Sequence, residues 1–372
     1  MILKKMRIRQ FRNYEDQTLM FDQGIQYITG RNAQGKTNLL EAILYLSTTR
    51  SHRVNDDAEL IKESRNFFLI NGTLEKGNRS IELRIHVSKE GKNLFIYKSP
   101  IRKVSDFVGT CNAVMFCPDD LTLFQAAPRV RRRFIDMELS KMSKTYMNAL
   151  TKANRLLKER NAALKLESIN QEYVKVIDDQ FLDLQVLIMK QRKKFLDELI
   201  SCGKNFYEDI SQDLSDLAYT YVSAVPYEED ENAVKQSLRK KYEKNWTRDC
   251  MMKQTMIGFH KDDVIFTING KEMSVYASQG QKRSVLLALK LGIVFMNKEV
   301  TGEYPILLLD DVFSELDEYR RKKLLEVLPS EVQIFITATD RYSIPEECGK
   351  KITDWYVEHG TVKKGAENYG SK

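Results

Sequence analysis

The sequence has no long apolar run, no cysteine cluster and no internal repeat. Its longest apolar candidate, Val285 to Met296, contains Lys290 and is shorter than the about 18 residues that a transmembrane helix needs. Met1 to Phe11 alternates charged and apolar residues without a signal-peptide core, so we expect no secretory leader and no membrane partner. The five cysteines form no CxxC pair, which favours free thiols in a reducing cytosol over a zinc site. They are Cys111, Cys117, Cys202, Cys250 and Cys348.

Apolar and basic residues are the abundant components. Hydrophobic residues make up 42% and charged residues 30% of the 372 residues, which predicts a sizeable core and excludes a disordered chain. At about 150 residues per domain, this length allows two domains, or one large domain with an insertion. The 59 Lys and Arg residues exceed the 52 Asp and Glu residues, and the net charge of +7 weakly indicates a polyanionic partner.

Both ends of the chain show α/β patterns. In the N-terminal part we predict strands at 6–9, 24–29, 67–70, 81–87 and 93–97, and a helix at 38–47. In the C-terminal part we predict strands at 264–268, 305–309 and 332–337, and helices from 279 and at 319–327. The Gly-containing turns between the early strands indicate an antiparallel part beside a core sheet.

The middle of the chain has a helical pattern. No Pro or Gly occurs from Ser140 to Ile200, and apolar residues recur there at a four-three spacing that is broken at Arg160 and Gln191. We therefore predict two long amphipathic helices that form an antiparallel hairpin turning near 167–170. The helical segment is interpreted as an insertion into one α/β domain.

A phosphate-binding loop follows the second predicted strand. Its residues match the GxxxxGK[ST] pattern between a strand and a helix, the context in which backbone N–H groups surround a phosphate. Lys36 is expected to reach the β and γ phosphates of ATP, and the Thr37 hydroxyl to bind Mg²⁺. The nucleotide-binding residues predicted here are Gly30, Arg31, Asn32, Ala33, Gln34, Gly35, Lys36, Thr37 and Asn38.

An apolar strand near the other end of the chain delivers two acids, Asp310 and Asp311. Asp310 is predicted to hold the Mg²⁺ shell, and Asp311 to orient or deprotonate the attacking water. By itself the pattern also fits a buried strand that ends in a polar turn. Most of the chain separates Lys36 from Asp310, a layout typical of ABC-type ATPase heads of the chromosome-maintenance kind.

A third motif, Ser278 to Arg283, resembles the ABC signature. In ABC-type enzymes its serine and nearby backbone N–H groups meet the nucleotide that the partner subunit holds, and we assign Ser278 and Gly280 to this role. An ordinary N-cap by Ser278 is the alternative. Ser314 to Asp317 lies at the place of the D-loop, and Thr339 stands where many ABC proteins have a switch histidine.

Taken together, several blocks make the whole chain resemble the RecF family, head-only relatives of the Rad50 and SMC ATPases. Phe259 and Lys261 depart from the family's usual Pro and Arg, and Ala277 from its usual Gly. The blocks are residues 11–14, 30–42, 51–53, 118–121, 128 with 132–136, 258–263, 278–283 and 308–317.

The resemblance implies an α/β, ABC-type P-loop head, split by an inserted helical, short coiled-coil-like arm. We place the head at 1–125 and 255–372 and the arm at 126–254. It further implies a cytoplasmic, nucleoid-associated protein that binds ATP with Mg²⁺, dimerises with ATP and hydrolyses it slowly. Family members bind double-stranded, gapped or junction DNA and act with RecO and RecR to load RecA.

Four arginines, Arg129, Arg131, Arg132 and Arg133, lie within five positions. They are candidates for contacts with the DNA backbone, which would give salt-dependent affinity without base specificity. The alternative is a solvated or ion-paired turn before the helical arm.

Other polar residues have open roles. Arg12 contacts either phosphate or a structural carboxylate, and His52 and Arg53 meet the nucleotide or DNA, or lie in a polar loop. His260, beside Asp262 and Asp263, is expected to be structural rather than a zinc ligand, because no second His or Cys accompanies it. Gln125 has roughly the place of a Q-loop glutamine.

Two other functional classes remain open. The ATPase subunit of a membrane transporter shares all three motifs but usually lacks the long helical arm and the arginine cluster. A scaffold for recombination proteins would use ATP only as a conformational ligand.

Overall fold

The computed structural model describes residues 1–211, 215–340 and 349–365. These residues form two compact units. The first comprises Met1–Asp120, Phe206–Gln212 and Leu286–Lys372, and the second Leu121–Asn205 and Asp213–Val285. The domain boundaries at 125 and 255 stay a prediction. The compact units divide the chain differently, because residues 255–285 belong to the second unit.

The strands are long at the N-terminus and short elsewhere. In chain order they are β1 (Ile2–Phe11), β2 (Tyr14–Met20), β3 (Ile25–Thr29), β4 (Phe67–Lys76), β5 (Arg79–Ser88), β6 (Gly91–Ile96), β7 (Ser99–Ile101), β8 (Ala113–Phe116), β9 (Leu217–Val222), β10 (Asp263–Ile268), β11 (Lys271–Glu272), β12 (Ile306–Asp310), β13 (Ile334–Ala338), β14 (Ile352–Glu358) and β15 (Thr361–Lys364).

The helices range from one turn to more than ten. In chain order they are α1 (Lys36–Thr48), α2 (Val104–Phe107), α3 (Pro128–Met142), α4 (Lys144–Ala163), α5 (Gln171–Ser211), α6 (Glu231–Met252), α7 (Met273–Tyr276), α8 (Gln279–Thr301) and α9 (Glu318–Val327). Short 3₁₀ turns cover Asp57–Leu60, Pro118–Phe124 and Val312–Glu315.

One sheet has six strands in the order β15-β14-β3-β13-β12-β8. It carries the phosphate-binding loop, which follows β3, and the acidic motif at the end of β12. Strands β14, β3, β13, β12 and β8 are parallel, and β15 is antiparallel to β14. Every residue of β12 and β13 is buried, as expected for parallel strands that are covered on both faces. The carboxyl ends of β3 and β12 therefore meet at one edge, where α/β folds bind their ligands.

A second sheet of the first unit is antiparallel, in the order β2-β1-β4-β5-β6-β7. Buried and exposed residues alternate along β4 and β5, so one face packs inward. Phe68 of β4 contacts Phe11 and Tyr45 edge-on, with ring centroids 5.2 and 5.5 Å apart. Since Tyr45 lies on α1, this aromatic cluster fixes the helix that follows the phosphate-binding loop.

The second unit contains helices α3 to α6 and the three-stranded sheet β11-β10-β9. Arg160, which interrupts the apolar spacing of α4, is fully buried and pairs with Asp178 and Asp249 at 2.6 and 2.7 Å. Arg192 of α5 is buried in the same way and pairs with Asp136 at 2.9 Å and with Asp262 at 3.2 Å. Each guanidinium thus connects three chain segments.

Most sequence-based element predictions are confirmed. All the predicted strands and helices are present, including the two long helices on either side of 167–170. The elements that were not predicted are helices α2, α3, α6 and α7 and strands β2, β7, β8, β9, β11, β14 and β15. No helix in the described part of the chain is long and apolar enough to cross a membrane. Four cysteines are free thiols, and Cys348 lies outside the described residues.

We expect Arg192→Met to lower the free energy of unfolding by about 3–5 kcal/mol, because Asp136 and Asp262 would lose their buried cation. Chemical denaturation followed by far-UV circular dichroism measures this loss. Lys194→Met is the matched control on the same helix, since its contact with Glu198 is long and exposed. Equal denaturation midpoints for the two variants would contradict a structural role for Arg192.

Candidate nucleotide site

The loop between β3 and α1 has a backbone that requires glycine at both ends. Gly30 has φ 151° and Gly35 has φ 119°, and Gly35 caps the N-terminus of α1. A Cβ atom at Gly30 would collide with the carbonyl oxygen of Val357, and one at Gly35 would lie 2.7 Å from Asn13 Nδ2. The loop therefore opens directly onto the positive end of a helix dipole, an arrangement that suits a phosphate.

Residues outside the phosphate-binding loop support it through hydrogen bonds. Asn13 Nδ2 donates to the Gln34 carbonyl at 2.7 Å, and the Tyr14 hydroxyl donates to the Gly35 carbonyl at 2.8 Å. The N–H groups of His359 and Gly360 donate to Gln34 Oε1 and O at 2.7 and 3.0 Å. Sequence reasoning missed these contacts, although Asn13 and Tyr14 belong to a block that resembles the family.

Lys36 lies inside the loop with only 8% of its surface exposed. Its Nζ donates to the carbonyls of Gly30 at 2.5 Å and Arg31 at 3.0 Å. Burial lowers the pKa of this ammonium, and the charges of Asp311, Asp310 and Asp340 oppose the shift. The structure therefore aims a cation at the centre of the loop, and its contact with the phosphates of ATP stays a prediction.

Asp310 meets the phosphate-binding loop across the sheet. Its Oδ1 accepts hydrogen bonds from Thr37 Oγ1 at 3.0 Å and from Thr337 Oγ1 at 2.7 Å. Burial raises the pKa of Asp310, while the two hydroxyl donors lower it. One carboxylate and one hydroxyl in contact are the hard oxygen donors that Mg²⁺ prefers, so these two residues could hold such an ion.

Asp311 is held in an unusual backbone conformation. Its φ is 53°, in the left-handed region, and its N–H donates to Thr337 Oγ1 at 3.0 Å and to the Thr337 carbonyl at 3.2 Å. One carboxylate oxygen, Oδ1, is buried without a hydrogen-bond partner among the described residues. A strained backbone and an unsatisfied buried oxygen are features of functional positions. The Asp311 carboxylate therefore suits a role that requires a free acceptor.

The signature segment lies at the start of α8, and Ser278 and Gly280 are both exposed. The N–H of Gln281 donates to Ser278 Oγ at 3.2 Å, and the N–H of Ser278 donates to Gln281 Oε1 at 3.0 Å. This reciprocal pair is a capping box, so the N-cap alternative is realised. It uses Ser278 Oγ only as an acceptor. The hydroxyl hydrogen is left available to another ligand.

The four arginines of the cluster have different surroundings in the structure. Arg131 forms a two-pronged ion pair with Asp263 at 2.7 and 2.8 Å, and Arg132 donates to the Asp262 carbonyl. Arg129 and Arg133 are exposed. The structure thus gives Arg131 the ion-paired alternative and Arg132 a backbone acceptor, and the DNA-contact role of the cluster stays a prediction.

The remaining candidates have mostly structural partners. Arg12 pairs with the buried Glu41 at 2.9 Å, and Arg53 donates to Asn38 Oδ1 at 3.3 Å beside the loop. Burial lowers the pKa of His52, whose Nδ1 has no partner among the described residues. His260 Nε2 lies 3.0 Å from the Thr255 carbonyl, and burial lowers its pKa to about 4.

A glycine-framed loop, an acidic strand beside it and a signature-like helix start together define an ABC-type ATPase head with a helical insertion. Comparison with known proteins agrees: the model of the "RecF/RecN/SMC N terminal domain" family matches residues 2–363. Curated relatives described as "DNA replication and repair protein RecF" are similar over 98% of this chain and 100% of their own length. They include those of Halalkalibacterium halodurans, 37% identical, and Streptococcus uberis, 40% identical.

Solved structures are also similar. A recombination mediator protein RecF with ATP, described as part of the RecFOR pathway, is 32% identical, with a TM-score of 0.91 over 98% of this chain and 97% of its own. An Smc head bound to a winged-helix domain of ScpA is 13% identical with a TM-score of 0.55, covers 98% of both chains, and shows the fold alone. The chain belongs to the RecF family.

We expect Asn13→Ala to weaken ATP binding about three- to tenfold, because the Gln34 carbonyl and Asn38 each lose a hydrogen-bond partner behind the loop. Titration with a fluorescent ATP analogue measures the affinity. Asn93→Ala, an exposed asparagine on β6 of the same unit, is the control and should bind like the wild type. An unchanged affinity for Asn13→Ala would show that the loop does not depend on this support.

Proposed function

We propose that this protein is an ATP-hydrolysing, DNA-binding protein of recombinational repair and replication restart. The observation that carries the proposal is the 3.0 Å contact of Thr37 with Asp310, which assembles the phosphate-binding and acidic motifs at one sheet edge. The full-length similarity to a RecF solved with ATP supports the same nucleotide. The protein would act in the cytoplasm, on the nucleoid.

ATP binding follows from the charges of the loop. Lys36 Nζ would exchange its two carbonyl acceptors for β- and γ-phosphate oxygens, which are stronger acceptors because they are anionic. Thr37 and Asp310 would hold Mg²⁺, and this ion, when bound, neutralises charge on the phosphates. The helix start behind Gly35 adds its positive end to the same phosphates.

Hydrolysis is assigned to Asp311. Its partnerless Oδ1 would accept a hydrogen bond from the attacking water and orient it towards the γ-phosphorus. The water oxygen then bonds to phosphorus while the bond to the β–γ bridging oxygen breaks. The water's proton passes to the carboxylate. The left-handed backbone of Asp311 keeps this side chain in place without using its oxygen for a helix cap.

Dimerisation is assigned to the signature segment. Ser278 has one hydroxyl hydrogen left to donate, and it is exposed at the N-terminus of a long helix. We propose that it meets the γ-phosphate held by a second copy of the chain, so that ATP is shared by both. Hydrolysis removes this shared phosphate and opens the dimer.

The DNA-related part of the proposal rests on the family. The solved relatives are described as recombination mediators in the RecFOR pathway. We infer that this chain, as an ATP-bound dimer clamp, binds double-stranded or gapped DNA and works with RecO and RecR to promote RecA loading. Its ATPase is expected to be weak and to depend on DNA.

A transporter subunit is disfavoured, because the chain resembles RecF proteins over 98% of its length, which includes the helical insertion. A scaffold that uses ATP only as a conformational ligand has the same fold. The rate of ATP hydrolysis therefore distinguishes such a scaffold from the proposed ATPase.

In sedimentation velocity experiments on protein without DNA, we expect ATP to convert the wild type from monomer to dimer. The variants Lys36→Ala and Ser278→Arg should stay monomeric. Lys36→Ala loses the phosphate-binding cation, whereas Ser278→Arg should still bind ATP and place a bulky side chain at the shared phosphate. Ser274→Arg is the control, outside the signature on α7. An ATP-dependent dimer of Ser278→Arg would refute the shared site.

Asp311→Asn is expected to bind ATP normally, to lower turnover by at least about a hundredfold and to prolong the dimer, because an amide cannot accept the water's proton. Phosphate release and the decay of the dimer after dilution measure the two effects. Asp106→Asn, an exposed acid on α2 outside the three motifs, is the control. Wild-type turnover in Asp311→Asn would favour the scaffold or another base.

A further inference from the structure

Helix α6 of the second unit has a basic side that none of the three motifs uses. Its buried side is formed by Val234, Leu238, Tyr242 and Asp249. Successive helical residues are turned by about 100°, so Lys240, Lys241, Lys244 and Arg248 fall within one arc of about 100°, outside the arc of the buried residues. All four are exposed, and we refer to them as the α6 stripe.

The cations of the α6 stripe differ from their neighbours in forming no ion pair with any residue that the structure describes. Lys235 and Arg239, on the other flank of the buried side, pair with Asp183 and Asp179 of α5. None of the four stripe residues forms an ion pair within the described ranges. Glu243 is the single acid between 235 and 248, and it lies to one side of the arc.

Helix electrostatics explains only part of this pattern. Cations are stabilised in the last turn of a helix, which accounts for Arg248. Lys240, Lys241 and Lys244 lie two or three turns before the end of α6 at Met252, where this effect has decayed. Ordinary solvated helix faces mix charges of both signs at i,i+4 spacing, and the stripe does not.

We propose that the α6 stripe binds the phosphate backbone of DNA. Lys240, Lys244 and Arg248 follow one another at steps of about 6 Å, so the row covers about 12 Å of helix. One strand of a B-form duplex presents a phosphate about every 3.4 Å of axis, so the row faces about three or four phosphates. Flexible point charges of this kind give affinity without reading bases.

An acidic protein partner fits the α6 stripe less well. Protein interfaces are anchored by buried aromatic or apolar side chains, and the arc between Lys240 and Arg248 contains none. The exposed apolar residues of α6, Met251 and Met252, lie beyond the row at its end. A surface with charge and without apolar anchors is typical of a contact with a polyanion.

The α6 stripe also differs from the arginine cluster of α3 in what its charges are free to do. Arg131 and Arg132 are occupied by Asp263 and the Asp262 carbonyl.

This inference rests on the proposed DNA-binding function and names the surface that performs it. A dimer would present the stripe twice, which would multiply its effect on affinity and on salt dependence.

The test is a triple variant, Lys240→Gln, Lys244→Gln and Arg248→Gln, in the full-length protein with ATP. Gln keeps a high helix propensity and removes three charges. Fluorescence anisotropy with a labelled duplex, over a series of salt concentrations, should show about tenfold weaker binding or more. For each bound stripe, the slope of the logarithm of the association constant against the logarithm of the salt concentration should be smaller in magnitude by about 3. The reduction should be equal for two duplexes of unrelated sequence.

The charge-matched control is Lys98→Gln, Arg102→Gln and Lys103→Gln, three exposed cations of the first unit. It should keep the wild-type affinity and slope, and both variants should retain ATP binding. An unchanged slope in the stripe variant, or an equal loss in the control, would overturn the assignment to α6 alone. Absence of DNA binding by the wild type would instead refute the proposed function.

Discussion

Thr337 is the residue through which the two halves of the nucleotide site are held together. It lies on β13, between the loop strand β3 and the acidic strand β12. Its hydroxyl donates to Asp310 and accepts from the N–H of Asp311, and Asp310 in turn accepts from Thr37. The register of three parallel strands therefore determines where both acids lie relative to the loop. A shift of one residue in β13 would turn Thr337 to the other face and separate these groups.

The second unit depends on charge in a different way. Arg160 and Arg192 are buried among carboxylates from several segments, and each also lies over an aromatic ring, Tyr242 or Phe259. Buried ion pairs add little net stability compared with apolar packing, but losing one partner is costly. Such residues therefore select one arrangement of helices. By contrast, the cations of the α6 stripe face water and leave their charge available to a ligand.

Local patterns predicted much of the fold and the centre of the site. The glycines, lysine and threonine of the loop lie within a few positions of one another. The loop needs glycines with a positive φ and a helix that follows directly, and neighbouring residues are enough to indicate both. The acidic strand was recognisable for the same reason. Asn13, Thr337 and His359 were not, because their roles depend on tertiary contacts with residues between about 20 and more than 300 positions away, which a single sequence does not display. Arg160 was interpreted as a break in the seam of α4, since its partners Asp178 and Asp249 are remote in sequence. For the four-arginine cluster, too, tertiary neighbours decide whether a cation is open or paired, and its DNA-contact role stays a prediction.

The position of β3 has a consequence for biosynthesis. Both strands that flank it, β13 and β14, come from the last part of the chain, and the loop behind β3 is held by His359 and Gly360. At a translation rate of about 5–20 residues per second, β3 waits roughly a quarter of a minute to a minute for these neighbours. A nascent chain on the ribosome therefore has the phosphate-binding sequence long before it has a phosphate-binding site. A product that ends before β13 lacks both strands that flank β3.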